Sequence, residues 1–193
     1  MRLFFAGEIP EEHKKALAVV QERLKDAKAD VKWVEPGNLH ITLRFLGDVN
    51  PKRIPELKKL AEEVGRLYGS FELSIKNLGV FPTKGPPRVV WAGIEEGKKQ
   101  LSMLAQAIAS RVAKLNFKEE EHEFKAHVTF GRIKSLRGTP ELLEVVMKNG
   151  VDLAPWYLDS IVLMESQTTK TGSIYKKVCV FPLGKRKEPQ AIS

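Results

Sequence analysis

The sequence predicts strands and helices in one alternating pattern written twice, with the two copies related by a pseudo-twofold axis. Three observations carry this expectation. A strand, helix, strand, helix order runs through the first third of the chain and begins again at residue 88. The tripeptide His-apolar-Thr occurs at His40 and Thr42 and recurs 87 residues later at His127 and Thr129. RLFFAG, from Arg2, is answered by RVVWAG, from Arg88, at an offset of 86 that matches Ala6 and Gly7 with Ala92 and Gly93. Similar short stretches in the same place within a repeated unit point to an internal duplication, with halves of roughly 1–80 and 86–183 inside one domain.

Each element has its own signal. RLFFAGEI reads as a strand, and PEEHKKALAVVQERLKDAK follows as a helix in which Ala16, Val19, Val20 and Leu24 recur at helical spacing. LHITLRFL alternates as a strand does, PELKKLAEEVGRL returns to helical spacing, and FELSIKNL is a further strand. The Pro/Gly cluster FPTKGPP interrupts regular structure and links the halves. Beyond it come the strand RVVWAGI, the helix KKQLSMLAQAIASRVAKL, the strand AHVTFGRI and the helix TPELLEVVMKN, with Thr139 as N-cap and Pro140 at the first position. LDSIVLMES and YKKVCVFPL flank the polar loop TTKTGS as a hairpin, and a polar tail, 184–193, closes the chain.

Composition narrows the function classes. A chain of 193 residues that is 42% hydrophobic and 29% charged has enough apolar material for one sizeable core, which disordered chains lack. The formal charge of +8 favours polyanions such as RNA, DNA or phosphorylated metabolites, although a basic surface also serves solubility alone. A single cysteine, Cys179, excludes an intramolecular disulfide and a cysteine-cluster metal site, and KKVCVFPL places it as a small buried hydrophobe. The apolar run at the N-terminus is too short for a signal peptide, and no window of about eighteen apolar residues offers a membrane span. The reading is a cytoplasmic protein.

Residues two apart on a strand share a face, so His40 and Thr42 point one way while Ile41 and Leu43 point the other; His127 and Thr129 repeat this with Val128 and Phe130 opposite. A pseudo-twofold packing lets both polar faces line one cleft. Imidazole titrates near pH 6.5, so one ring can accept a proton while the other donates one, and two hydroxyls can bond the non-bridging oxygens of a phosphate between them. That constellation suits in-line displacement at phosphorus with no metal. One His-x-Thr alone is an ordinary strand sequence; two at equivalent places are not. Metal binding is the rival use of paired histidines, but no Asp, Glu or Cys accompanies either motif at ligand spacing, and His13 and His122 sit in charged surface contexts. Neither a metal nor a cofactor is expected.

Five residues beyond each histidine stand Phe45 and Arg132, two surfaces on which a nucleobase can stack. Parity opposes that use: an odd offset puts both on the apolar side of an ideal strand. The clamp therefore needs a bulge or a strand end, for which Gly47 and Gly131 give licence, and a core role for Phe45 stays open. Arg44, on the nominal face of His40 and Thr42, is a second cationic candidate, or a solvated strand edge.

At these residues the sequence resembles the 2H phosphoesterases, and most closely the RNA 2′,3′-cyclic phosphodiesterases also called 2′-5′ RNA ligases. RLFFAGEIP, LHITLRFLGDV, HVTFGRI and YKKVCVFPL resemble that family's landmarks in the same order, leaving only the tail GKRKEPQAIS outside. The resemblance implies a bilobal α+β fold whose antiparallel sheets face a central cleft, with helices packed outside. It implies hydrolysis of RNA terminal 2′,3′-cyclic phosphates, tRNA fragments among them, to 2′-phosphates. It implies His40 as general acid, His127 as general base, Thr42 and Thr129 as phosphate binders, and Phe45 and Arg132 as the base clamp. Reversed, the same chemistry would join such ends to a 5′-hydroxyl as a 2′-5′ linkage. A basic RNA-binding module without catalysis is the alternative. A monomer is expected.

Overall fold

The computed structural model describes residues 1–120, 123–168 and 173–185; His122, most of the TTKTGS loop and most of the tail expected over 184–193 lie outside these. The strands are β1 (Arg2–Gly7), β2 (Val31–Trp33), β3 (Ile41–Asp48), β4 (Phe71–Leu73), β5 (Ile75–Phe81), β6 (Val89–Ile94), β7 (His127–Ile133), β8 (Trp156–Leu158), β9 (Ser160–Thr168) and β10 (Ser173–Pro182). The helices are α1 (Glu11–Lys25), α2 (Ile54–Leu67), α3 (Lys98–Lys114) and α4 (Thr139–Lys148), with single 3-10 turns at Pro36–Asn38 and Pro51–Arg53. The result is an α+β fold. One antiparallel sheet has the order β10-β9-β1-β3-β7-β6-β5, with β2 also on β7, and β4 and β8 form a second small sheet.

The large sheet is two half-sheets joined at one residue pair, Ile41 with Val128. These residues are 87 apart and hold corresponding places in the two halves. The small sheet also joins the two halves: Glu72 pairs with Tyr157 at the middle of β4 and β8. The strands do not stay with their own half of the sequence. β5, from the first half, pairs with β6, and β9, from the second, pairs with β1. FPTKGPP is accordingly the turn of the β5–β6 hairpin, and β5 continues into it as far as Phe81.

The registers correct the residue match between RLFFAG and RVVWAG. Ala6 pairs with Thr42, and Trp91 with Thr129, so Ala6 answers Trp91 at an offset of 85. The offset of 86 is one residue out. A one-residue slip exchanges the faces of a strand, and it would equate buried Phe5, in the main core, with Trp91, which lies on the other face.

All four helices cover one face of the large sheet. Leu3, Phe5, Ile41, Leu43, Val90, Val128, Phe130 and Leu163 project into a single core with Leu17, Leu60, Leu104 and Leu142 from the helices. Phe4, Ala6, Val162 and Met164 form a separate cluster with Tyr175 on the opposite face. On α1 the buried row is Leu17, Val20, Gln21 and Leu24, so Val19, read as part of the apolar stripe, lies exposed. Gln21 can be buried because its amide donates to the carbonyls of Val34 and Phe130 at 2.8 and 2.9 Å. His13, read as a surface residue, is also buried: Nε2 meets the Ala154 carbonyl at 2.7 Å and the ring packs on Trp156.

Other differences have local causes. FELSIKNL breaks at Ser74, whose hydroxyl and carbonyl accept the N–H groups of Glu96 and Glu95 instead of continuing a ladder. The short strands β2 and β8 escape notice because three residues show no period. Helix α4 is capped by Gly138 at φ 69°, leaving Thr139 inside the first turn with no capping bond. A side chain at 138 would collide with the backbone of Ala29, 2.8 Å from an added Cβ. Cys179 is only half-buried, beside an irregularity in the β9–β10 ladder.

Gly131 fixes where β2 can lie. A methyl group there would come within 2.5 Å of Val31 Cγ1 and 3.0 Å of the Trp33 ring. Gly131→Ala should therefore lower stability by about 1–3 kcal/mol, the usual range for overpacking, as read from urea unfolding midpoints; an unchanged midpoint would show that β2 gives way freely.

Candidate active site

The site is built on the junction between half-sheets. Directly opposed residues in an antiparallel pair point to the same face. With Ile41 opposite Val128, the same register carried one residue either way sets Thr42 beside His127 and His40 beside Thr129. Ile41 and Val128 are fully buried in the core, so all four polar side chains emerge on the other face.

Both imidazoles are held in the same way. His40 Nδ1 donates to the Asn38 carbonyl at 2.6 Å, and His127 Nδ1 donates to the Lys125 carbonyl at 2.6 Å. A carbonyl only accepts, so Nδ1 carries the proton in each ring and Nε2 is left for chemistry. His40 Nε2 lies 3.0 Å from the Thr42 hydroxyl, which donates to it while the ring is neutral.

Electrostatics favour that neutral state. Burial is the main reason the His40 pKa falls from 6.5 to about 4; the bond to Asn38 opposes the fall, and the positive charges of Lys14 and His127 add to it. His127 is lowered as well, first by burial, with its bond to Lys125 in opposition and Arg132 and Lys125 adding. Without substrate, both rings are bases at neutral pH. An arriving phosphate anion would favour protonation of either.

Phe45 and Arg132 reach the same face, because each strand bulges just after its motif. On β3 the partners of Ala6 and Phe5 are Thr42 and Arg44, so Leu43 is the extra residue. On β7 the partners of Trp91 and Val90 are Thr129 and Gly131, so Phe130 is the extra residue. Leu43 and Phe130 are themselves 87 apart. Each bulge reverses the parity that opposed the clamp. Phe45 stands 51% exposed with its ring 5.8 Å from Phe4, and Arg132 is exposed.

The β3 bulge also overturns the cationic role considered for Arg44. It turns Arg44 to the helix side, where it is 2% exposed, pairs with Glu120 at 3.0 Å and donates to the Lys118 carbonyl at 2.5 Å. A bulge of this kind leaves little trace in sequence, and alternation alone misplaces the residue after it.

Several neighbours of the histidines carried no sequence signal. The Tyr175 ring stands edge-on to His40, 5.0 Å between centroids, and Phe4 lies 4.9 Å away. In the other lobe Phe81 stands edge-on to His127 at 5.2 Å and stacks on Trp91 at 4.9 Å. Trp91 can lie flat because Gly79 beneath it has no side chain; an added Cβ would sit 2.2 Å from the indole. Lys14, on α1, donates to the Gly37 carbonyl at 3.2 Å, within the turn that precedes His40. Among the described residues no three or more His, Cys, Asp or Glu side chains converge as metal ligands would, and no helix is long and apolar enough to cross a membrane.

Two imidazoles with Nδ1 committed to a carbonyl, beside two hydroxyls on one face, are a set that suits phosphoester chemistry. The chain belongs to the LigT-like phosphoesterases, whose family model matches it twice, over residues 8–91 and 93–175. Similar proteins include the RNA 2′,3′-cyclic phosphodiesterases of Methanothermobacter thermautotrophicus, 34% identical over 95% of this chain and 99% of its own, and Archaeoglobus fulgidus, 35% identical over 94% and 99%. Among solved structures, TT0787 of Thermus thermophilus superposes with a TM-score of 0.82 at 28% identity, covering 97% of this chain and 100% of its own. Escherichia coli LigT complexed with 3′-AMP shares the fold, with a TM-score of 0.73 at 22% identity over 94% and 96% of the two chains.

A histidine held neutral makes stability depend on pH in a definite direction. The folded-state pKa of His40 lies below the unfolded value, so its contribution is complete above about pH 6.5 and is lost as pH falls toward 4. Between pH 7 and 4.5, wild type should lose about 2 kcal/mol more stability than His40→Ala. Urea denaturation of both proteins at the two pH values measures this difference, and parallel losses would refute the depressed pKa.

Proposed function

We propose that this protein hydrolyses the 2′,3′-cyclic phosphate at the end of an RNA strand to a 2′-phosphate, using its paired histidines and no metal or nucleotide cofactor. The observation that carries the reading is the matched pair of Nδ1–carbonyl bonds, which turns both Nε2 atoms over to proton transfer on one face. The relatives named RNA 2′,3′-cyclic phosphodiesterase supply the substrate class.

In the proposed reaction His127 Nε2 removes a proton from water as the water oxygen attacks phosphorus opposite O3′. The P–O3′ bond breaks, and His40, doubly protonated in the substrate complex, gives its Nε2 proton to O3′. The product is a 2′-phosphate beside a free 3′-hydroxyl, with the proton left on His127 returning to His40 through solvent. Thr42 exchanges its bond to His40 Nε2 for one to a phosphate oxygen, and Thr129 binds another. Phe45 and Arg132, brought to this face by the bulges, clamp the terminal base between a ring and a guanidinium plane. Assigning acid to His40 and base to His127 rests on family resemblance.

Reversal, with a 5′-hydroxyl of RNA in place of water, gives 2′-5′ ligation. The charge of +8 favours polyanionic partners, and cleaved tRNA ends belong to the substrate class proposed. The protein is read as a cytoplasmic monomer. Its halves, roughly 1–80 and 86–183, are proposed to be copies of one unit; the matching bulges and matching histidine bonds support this.

In excess EDTA, a short RNA ending in a 2′,3′-cyclic phosphate should be converted to the 2′-phosphate, and His40→Ala and His127→Ala should each reduce turnover by roughly 10²-fold or more with binding largely kept. An untouched cyclic end across pH 5–9 would leave the protein an RNA-binding module or an enzyme for another phosphoester.

The pH profile offers a second test. Both histidines are lowered in the free enzyme, so kcat/KM should be bell-shaped with its optimum below pH 6.5. The bound phosphate anion raises both pKa values, so the kcat optimum should lie higher. A kcat/KM optimum at pH 8 would contradict the mechanism.

A further inference from the structure

We propose that Asn38 is a positioning residue for the reaction, its side chain anchoring to β10 the carbonyl that selects the working tautomer of His40; this rests on the paired-histidine reading above. Asn38 acts at both ends. Its carbonyl receives the Nδ1–H of His40 at 2.6 Å, and its Nδ2 donates to the Ser173 carbonyl at 2.8 Å. Ser173 begins β10, and two residues on, Tyr175 places its ring edge-on to His40 at 5.0 Å. One amide thus ties together the two groups that orient this imidazole: the carbonyl behind Nδ1 and the ring beside it.

The turn that carries Asn38 needs such a tie. Pro36–Asn38 is a single 3-10 turn, too short to set the direction of its last carbonyl by its own hydrogen bonds. Outside contacts hold it: Lys14 from α1 bonds the Gly37 carbonyl at 3.2 Å, and Asn38 bonds β10. Without the second contact the Asn38 carbonyl is free to swing, and Nδ1–H then competes poorly with Nε2–H. A neutral ring protonated on Nε2 no longer presents a lone pair to Thr42, and the imidazolium loses its acceptor at Nδ1.

The other lobe meets the same demand by different means. The carbonyl of Lys125 receives His127 Nδ1–H, and its ammonium lies over the Phe81 ring, 5.0 Å from the centroid, the ring that stands edge-on to His127. In both lobes the residue two before the histidine grips, through its side chain, the strand that presents the neighbouring ring. The chemistry differs, an amide donor in one case and a cation on an aromatic face in the other, while the geometry is shared. That correspondence sets the Asn38–Ser173 bond apart from an incidental surface contact.

The test is made on Asn38→Ala, and on Asn38→Asp, which keeps the shape of the side chain but has no donor for the Ser173 carbonyl. The protein labelled with ¹⁵N is measured by long-range ¹H–¹⁵N correlation of its imidazole rings above pH 7. In wild type the His40 ring should be uniformly Nδ1–H. In both variants its nitrogen shifts should move toward a mixture of tautomers while those of His127 stay unchanged, and kcat on a cyclic-phosphate RNA should fall roughly 10- to 100-fold, the usual effect of losing a supporting contact, with KM altered much less. A purely structural role would lower the unfolding temperature and leave the His40 nitrogens where they were; unchanged His40 shifts in Asn38→Asp overturn the proposal, whatever the activity. The ring measurement needs no substrate, so it stands even if wild type fails to open a cyclic phosphate, an outcome that would sink the functional reading alone.

Discussion

The contact between Ile41 and Val128 is the constraint on which the site depends. It is the pair at which β3 and β7 join two half-sheets into one. Both side chains are fully buried against the helices, and two burials of this size are worth a few kcal/mol together. Because opposed residues share a face, burying this pair obliges its neighbours, His40 and Thr42 on β3 and His127 and Thr129 on β7, to emerge together on the far side. The polar constellation is the obverse of an apolar contact. A slip of β3 against β7 by one residue would turn His40 and Thr42 toward the core and Ile41 out of it.

Around that junction the two lobes use matching devices. A bulge follows each motif, at Leu43 and at Phe130, and turns the next outward residue back to the site. A bulge leaves a carbonyl outside the ladder, and the Phe130 carbonyl is taken up by the Gln21 amide and the Val34 N–H, which tie it to α1 and to the segment after β2. The desolvation that lowers both histidines follows from the same packing, with Phe4 and Tyr175 crowding one ring and Phe81 the other.

Much of this was legible in the sequence, for identifiable reasons. Period-two alternation in LHITLRFL and AHVTFGRI places the four motif residues on polar faces, and repetition brings those faces together. Helices α2 and α3 stand where their spacing put them. Phe45 and Arg132 could be named as candidates, but only the bulges brought them to the face of the histidines. The same bulge spoiled the reading of Arg44, since the alternation rule holds only while the ladder is unbroken. The match at an offset of 86 failed because a run of hydrophobic residues looks alike in either register, whereas hydrogen-bond partners do not. Asn38 and Tyr175 were beyond reach: their importance lies in a contact between residues 135 apart, Asn38 and Ser173, and no local pattern encodes it.

The exchange of β5 and β9 between halves also bears on how the molecule comes into being. Neither half of the sequence contains a whole lobe, since β1 is completed by residues about 160 positions away, as in the pairing of Phe4 with Met164. Contacts of that sequence separation close late and at a high cost in chain entropy. A piece cut at the β5–β6 turn would carry one His-x-Thr strand and an unsatisfied strand edge, and could mend that edge only by borrowing the missing strand from another molecule. If the halves are copies of one unit, as proposed, two such pieces, each lending a strand to the other, would rebuild the shared sheet on a true twofold axis, and the single chain would amount to a strand-exchanged dimer whose partners have been joined.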